Sequence, residues 1–170
     1  SYFTDRREKY VDSKGRRIIG GDEILEGPIN ERATIMSWRG ISPGVEAASK
    51  GHDVIMTPNS HLYFDYYQTE GRNGGPILIG GYVPLEKVYS LNPIPDDIPA
   101  DLRSHIIGVQ ANLWTEYIAY TSIVEYQVLP RMAALAEVQW TSATKDYPDF
   151  LSRLSRLREL YGIYGYNVAK

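Results

Sequence analysis

Four short apolar runs, separated by glycine, proline and helix-forming stretches, constrain this chain more than anything else in its sequence. They are "RRIIGG" (16–21), "ATIMSW" (33–38), "DVIMTP" (53–58) and "HIIGVQANLW" (105–114). Each is rich in β-branched residues, bounded by turn formers and too short for a buried helix, so each predicts a strand covered on both faces. The strands begin near residues 17, 34, 53 and 106. The segments around them have a different period. "SYFTDRREKYVDSKG" places Phe3, Tyr10 and Val11 on one helical face, with Gly15 where a C-terminal cap belongs. "SPGVEAASKGH" predicts a small helix ended by Gly51, and "SIVEYQVLPRMAALAEVQW" a helical stretch interrupted at Pro130. In "YPDFLSRLSRLRELYGIYG", Phe150, Leu151, Leu154, Leu157, Leu160 and Tyr161 fall on one stripe while Arg153, Arg156 and Arg158 lie mostly off it.

Apolar strands alternating with helices imply an α/β fold whose parallel sheet is covered by helices. Four such units make about half of a TIM (β/α)8 barrel, which typically needs about 250 residues. With no internal repeat and no low-complexity linker, residues 1–170 are expected to form a single partial domain. A glycine-rich excursion, "TEGRNGGPILIGGY", and a proline-studded one, "LNPIPDDIPADLR", interrupt the pattern. Loops of that length in a compact domain usually carry function or move.

Composition removes several classes of partner. The formal net charge is −3, with lysine and arginine spread along the chain, and gives no footprint for nucleic acid or an anionic membrane. There is no cysteine, so disulfides and thiolate metal sites are excluded. His52, His61 and His105 share no metal-binding spacing, and neither GxGxxG nor GxxxxGK[ST] is present, so no metal or phosphate cofactor is expected. No membrane segment or signal peptide is read in this chain. The 14 tyrosines against 3 phenylalanines favour rings that carry a polar handle, which suits a surface that binds something polar.

In parallel α/β folds the chemistry gathers just beyond the strand ends. Those positions hold Asp22 and Glu23, then Trp38 and Arg39, then Tyr63 and Asp65, and lastly Trp114 and Glu116. Aromatic faces stack on the C–H faces of a pyranose, and carboxylates accept directional hydrogen bonds from hydroxyls, so the set suggests a carbohydrate pocket. Tyr63 and Asp65 are two apart, as are Trp114 and Glu116; in extended chain both members of each pair face one side. Asp22 and Glu23 are neighbours, and on a regular strand one would point inward and one outward. Each residue also has a plainer reading, the tryptophans as core and "LYFDYY" as a tyrosine-rich packing edge.

The blocks "IIGGDEILEG", "ATIMSWRG", "GHDVIMTPNSHLYFDYYQ", "PLEKVYSLNPIP", "IIGVQANLWTEYI" and "EYQVLPRMAALAEVQWT" occur in this order. Together they closely resemble the second half, about strands 5–8, of the catalytic barrel of β-N-acetylhexosaminidases of glycoside hydrolase family 20, most like those of gut Bacteroides-type bacteria. The resemblance implies that Trp38 walls a pocket for a terminal N-acetylhexosamine. It implies that Tyr63 donates to the acetamido carbonyl and that Asp65 binds a sugar hydroxyl. Trp114 would form the floor, and Glu116 would bind the outer hydroxyls. It further implies retaining, substrate-assisted hydrolysis through an oxazolinium intermediate, with an Asp–Glu pair orienting the acetamido group and protonating the leaving oxygen.

In the family that pair ends the fourth strand. "GGDE" here sits in the context of the fifth, where relatives commonly read "GWDEILEG", so the catalytic pair is expected upstream of this chain. Gly21 then stands where relatives have a pocket-wall tryptophan. Three other readings are open. In these, Asp22 and Glu23 are the acids of a shortened enzyme, the chain is a non-catalytic carbohydrate-binding or assembly fragment, or "GGDE" marks a resemblance to the GGDEF diguanylate cyclases. The last lacks the phenylalanine, since Ile24 follows Glu23, and it lacks an upstream metal-binding acid motif. The expected partners are glycans with terminal N-acetylhexosamine, together with the missing half of the barrel or a second copy of the chain. A periplasmic, outer-membrane-associated or secreted setting is expected for the full-length protein.

Overall fold

A computed structural model describes residues 2–70, 75–141 and 144–170. They fall into two compact units, Ser1–Asn59 with Asn92–Gln110, and Ser60–Leu91 with Ala111–Lys170.

The first unit carries the sheet. Its elements are α1 (Tyr2–Ser13), β1 (Ile19–Gly21), β2 (Thr34–Ser37), α2 (Ser42–Ser49), β3 (Val54–Met56) and β4 (Ile106–Val109), with 3-10 turns over Asp22–Glu26 and Ala100–His105. All three strand pairings are parallel and the order is β1-β2-β3-β4, as the alternation of apolar and helical segments predicts. The strands are shorter than the apolar runs that announce them, because the ends of those runs leave the ladder for connecting turns. Ile35, Val54 and Met56 meet Ala47 and Ala48 of α2, and Ile98 closes the same core. Small residues on α2 let it approach closely, and Pro43 in its first turn favours a helix start there. Past the helix ends, Gly15 and Gly51 adopt φ of +67° and +87°, the left-handed conformation anticipated for both caps.

The shared face of α1 is not a buried one. No residue of this helix is buried, and Phe3 and Tyr10 are both largely exposed. Its attachments in the first unit are polar: Glu8 accepts from the Asn30 N–H at 3.0 Å, and Asp12 pairs with Arg32 at 2.9 Å.

The second unit is mostly helical. After α3 (Asn59–Leu62) come α4 (Leu85–Ser90), α5 (Thr121–Val128), α6 (Arg131–Trp140) and α7 (Tyr147–Ile163). The break between α5 and α6 falls at Pro130, which has no N–H to continue a helix. Asp146 caps α7 by accepting the Asp149 N–H at 3.0 Å. Of the predicted α7 stripe only Phe150 and Leu154 are buried, while Leu151 and Leu160 are exposed. Phe150 stacks on Tyr89 of α4 at 4.7 Å, so the start of α7 is anchored by aromatic packing. Two isolated parallel bridges, Tyr63 with Asn112 and Tyr67 with Tyr82, hold the non-helical segments of this unit together.

Candidate functional site

The second unit brings four of the sequence-predicted residues to one place. Asn112 receives its neighbour strand on both sides: its N–H donates to Leu62 O at 2.9 Å and its carbonyl accepts the Phe64 N–H at 2.7 Å. This pairing sets Tyr63 beside the segment that leads to Trp114. Beyond Tyr63 the chain turns at Phe64 and Asp65, so the extended alternation expected for Tyr63 and Asp65 does not occur. The turn nonetheless delivers both to one cavity of about 320 Å³, lined by Tyr63, Asp65, Tyr66, Ile79, Trp114 and Glu116. Tyr66 and Ile79 are additions to the predicted set. Tyr66 packs edge-on against Tyr63 with ring centroids 5.5 Å apart. It was visible in "LYFDYYQ", but a strand period puts it on the face opposite Tyr63. Ile79 comes from the glycine-rich loop, where no periodicity marks any residue.

The cavity combines an open aromatic face with acids of contrasting exposure. Trp114 is 52% exposed and Glu116 is exposed, whereas Asp65 is 4% exposed and its Oδ1 has no hydrogen-bond partner among the described residues. Burial pushes the Asp65 carboxyl above its ordinary range and Glu116 adds to the rise; the backbone N–H groups of Asp65 and Trp114 and the Arg131 cation work against it. Burial also raises the Tyr63 hydroxyl, against hydrogen bonding with the Trp114 and Asn112 side chains, so at neutral pH it stays protonated and able to donate. The site therefore offers a phenolic donor, a recessed acceptor, a solvent-facing acceptor and an aromatic surface. That inventory matches the hydroxyls and C–H face of a sugar.

The remaining predicted residues lie in the first unit. Asp22 is fully buried, and its carboxylate accepts the Trp38 N–H at 2.9 Å, the Arg39 N–H at 3.0 Å and the Arg39 Nε–H. It ties the end of β1 to the end of β2. Glu23 is exposed, so one acid of the pair points in and the other out. A Cβ at Gly21 would lie 2.2 Å from Glu23 Oε2 and 3.2 Å from Trp38 Nε1, so the Glu23 carboxylate fills the space that a side chain at position 21 would need. Trp38 itself is half-buried. His52 is buried, with Nδ1 3.0 Å from Ala33 O, and among the described residues no group of three or more histidines and acids is placed to hold a metal.

Residues 1–143 match the model of the glycosyl hydrolase family 20 catalytic domain. The chain belongs to this family. It is 47% identical over 169 residues to a β-hexosaminidase of Porphyromonas gingivalis, covering 98% of this chain and 22% of the relative. A crystal structure of a family 20 exo-β-N-acetylglucosaminidase from Vibrio harveyi, in complex with N-acetylglucosamine, superposes with a TM-score of 0.82 at 31% identity. It covers 96% of this chain and 26% of that protein. The family 20 β-N-acetylhexosaminidase of Streptomyces coelicolor shares the fold, with a TM-score of 0.86 at 23% identity over 99% of this chain and 35% of that one.

The chain thus spans about a fifth to a third of the length of these relatives, and its parallel α/β sheet is part of a family 20 TIM barrel. Membership in family 20 makes the "GGDE" tetrapeptide a chance likeness to diguanylate cyclases, with Asp22 engaged in joining two strand ends.

Proposed function

We propose that this chain supplies the sugar-binding half of a β-N-acetylhexosaminidase that removes terminal, non-reducing N-acetylglucosamine or N-acetylgalactosamine from glycans. The single observation that carries this reading is the cavity in which Tyr63, Asp65, Trp114 and Glu116 converge, with a buried Asp65 oxygen that has no partner among the described residues. A sugar hydroxyl donating to that oxygen satisfies an otherwise costly acceptor, while Trp114 stacks on the pyranose and Glu116 takes the outer hydroxyls. The Tyr63 hydroxyl donates to the acetamido carbonyl, holding the amide so that its oxygen attacks the anomeric carbon. The acid–base pair of this retaining mechanism comes from a preceding strand of a longer protein, because Asp22 is occupied by three donors.

β1 and β4 each have one strand partner among the described residues, and Ile19 and Ile107 on them are exposed. The remaining barrel strands, or a second copy of the chain, complete these edges. A periplasmic, outer-membrane-associated or secreted setting for the longer protein is part of the same proposal and rests on the resemblance alone. The purified 170-residue chain is expected to release no aryl alcohol from an aryl N-acetyl-β-glucosaminide. Release that disappears in Asp22→Asn or Glu23→Gln would overturn the assignment of the acid pair to another strand.

A further inference from the structure

Arg131 is the largest fully buried side chain among the described residues, and nothing in the proposed sugar contacts uses it. The hydrogen bonds of its guanidinium go to main-chain carbonyls. Nη1 donates to Tyr66 O at 3.2 Å and Val83 O at 2.9 Å, while Nη2 donates to Phe64 O and to Gln127 O. Nε donates to Gln127 O at 3.1 Å, and the cation lies 4.8 Å from the centre of the Phe64 ring. Gln127, itself fully buried, sends its Nε2 to the same two carbonyls, Phe64 O at 2.8 Å and Tyr66 O at 3.1 Å.

Two side chains from either side of the Pro130 break therefore grip the carbonyls that flank Asp65. A buried cation without a touching carboxylate is expensive unless its charge acts on something nearby. Here the acid that acts on it is Asp65.

We propose that Arg131 and Gln127 form a positioning pair that fixes the Phe64–Tyr66 turn and so aims the Asp65 carboxylate into the cavity. Neither residue touches the sugar. The inference rests on the sugar-binding reading of the cavity but makes a separate claim about Asp65. The charged and titratable groups that face Asp65 are Glu116, Arg131, Tyr63 and Tyr66. Of these Arg131 is the cation that favours the carboxylate, so removing its charge must show in the titration of Asp65. Lysine keeps the charge but is a point donor that cannot span four carbonyls.

The test follows the Asp65 carboxyl carbon by NMR against pH, and N-acetylglucosamine affinity, in the 170-residue chain and in Arg131→Gln, Arg131→Lys and Gln127→Met, each checked for folding by circular dichroism. Arg131→Gln is expected to move the Asp65 midpoint up and to weaken sugar binding several-fold. Arg131→Lys is expected to leave the midpoint near the wild-type value while weakening binding several-fold. Gln127→Met, which keeps the charge and approximate volume, carries the claim if Arg131→Gln does not fold, and is also expected to weaken binding. An unmoved Asp65 midpoint in folded Arg131→Gln overturns the proposal. So does wild-type affinity in folded Arg131→Lys and Gln127→Met. If the wild-type chain takes up no sugar while the Asp65 midpoint still rises in Arg131→Gln, the sugar-binding reading falls and the positioning claim stands.

Discussion

Asp22 and Asp65 are both acids with almost no exposed surface, yet one carboxylate is filled by three N–H donors and the other keeps an oxygen without a partner among the described residues. Removing the first acceptor strands those donors at the strand ends. Asp22→Ala is therefore expected to lower unfolding stability by about 1–3 kcal/mol, and Glu23→Ala by less than about 0.5 kcal/mol, as read from urea denaturation. Equal losses would mean that Asp22 does not join β1 to β2. For Asp65 the sign is reversed. Its carboxyl lies above the ordinary value in the folded protein, so folding favours the protonated acid. That contribution is complete below the unfolded pKa of about 3.9 and is lost as pH rises through the higher folded value. Asp65→Asn is thus expected to be at least as stable as wild type at neutral pH while binding N-acetylglucosamine more weakly. The stability of wild type relative to the variant should fall as pH rises through the carboxylate range. A rise over that range would contradict the account. Residue types at the strand ends were enough to single out both acids in the sequence. Sequence could not show which acid was already satisfied, because that depends on the Trp38 and Arg39 main chain.

Strand order and helix breaks were legible because each rests on local chemistry: β-branched runs, glycine caps at positions 15 and 51, and a proline at 130. Which face each helix buries was less so. The α1 and α7 stripes obey helical spacing, but Phe3, Tyr10, Leu151 and Leu160 find no cover among the described residues. Helical spacing says which side chains share a face and not what lies against it. The contact of α2 with the sheet is the opposite case, where one missing side chain sets the distance. A Cβ on Gly44 would meet Met56 Cε at 2.7 Å, Met56 Sδ at 2.8 Å and Ser37 Cβ at 3.1 Å. Met56 is fully buried, so its side chain must shift within the core to make room. Gly44→Ala gains up to about 1 kcal/mol of helix propensity and incurs about 1–3 kcal/mol of overpacking. Net destabilisation in a thermal melt is the expected result, and an equal or higher midpoint would show that α2 can move away from β3.

At the scale of the whole chain, the order of the motifs identified more than any one of them. In isolation the tetrapeptide at 20–23 resembles a catalytic block of the family, and the proposal that it stands one strand later rests on its neighbours in the sequence. The cavity was half legible: Tyr63, Asp65, Trp114 and Glu116 stood at predicted strand ends, but the turn that brings them together, and the Arg131–Gln127 pair that holds it, depend on contacts 61 to 67 residues apart in sequence. The central claim is that this cavity recognises an N-acetylated sugar. Its most direct test is titration of the 170-residue chain with N-acetylglucosamine, following the indole N–H signals of Trp114, on the cavity wall, and of Trp140, 88% exposed on α6. The Trp114 signal is expected to shift to saturation, with a dissociation constant of roughly millimolar order, while the Trp140 signal stays in place. A Trp114 signal unmoved by the sugar, or one that moves only in step with Trp140, would contradict the claim.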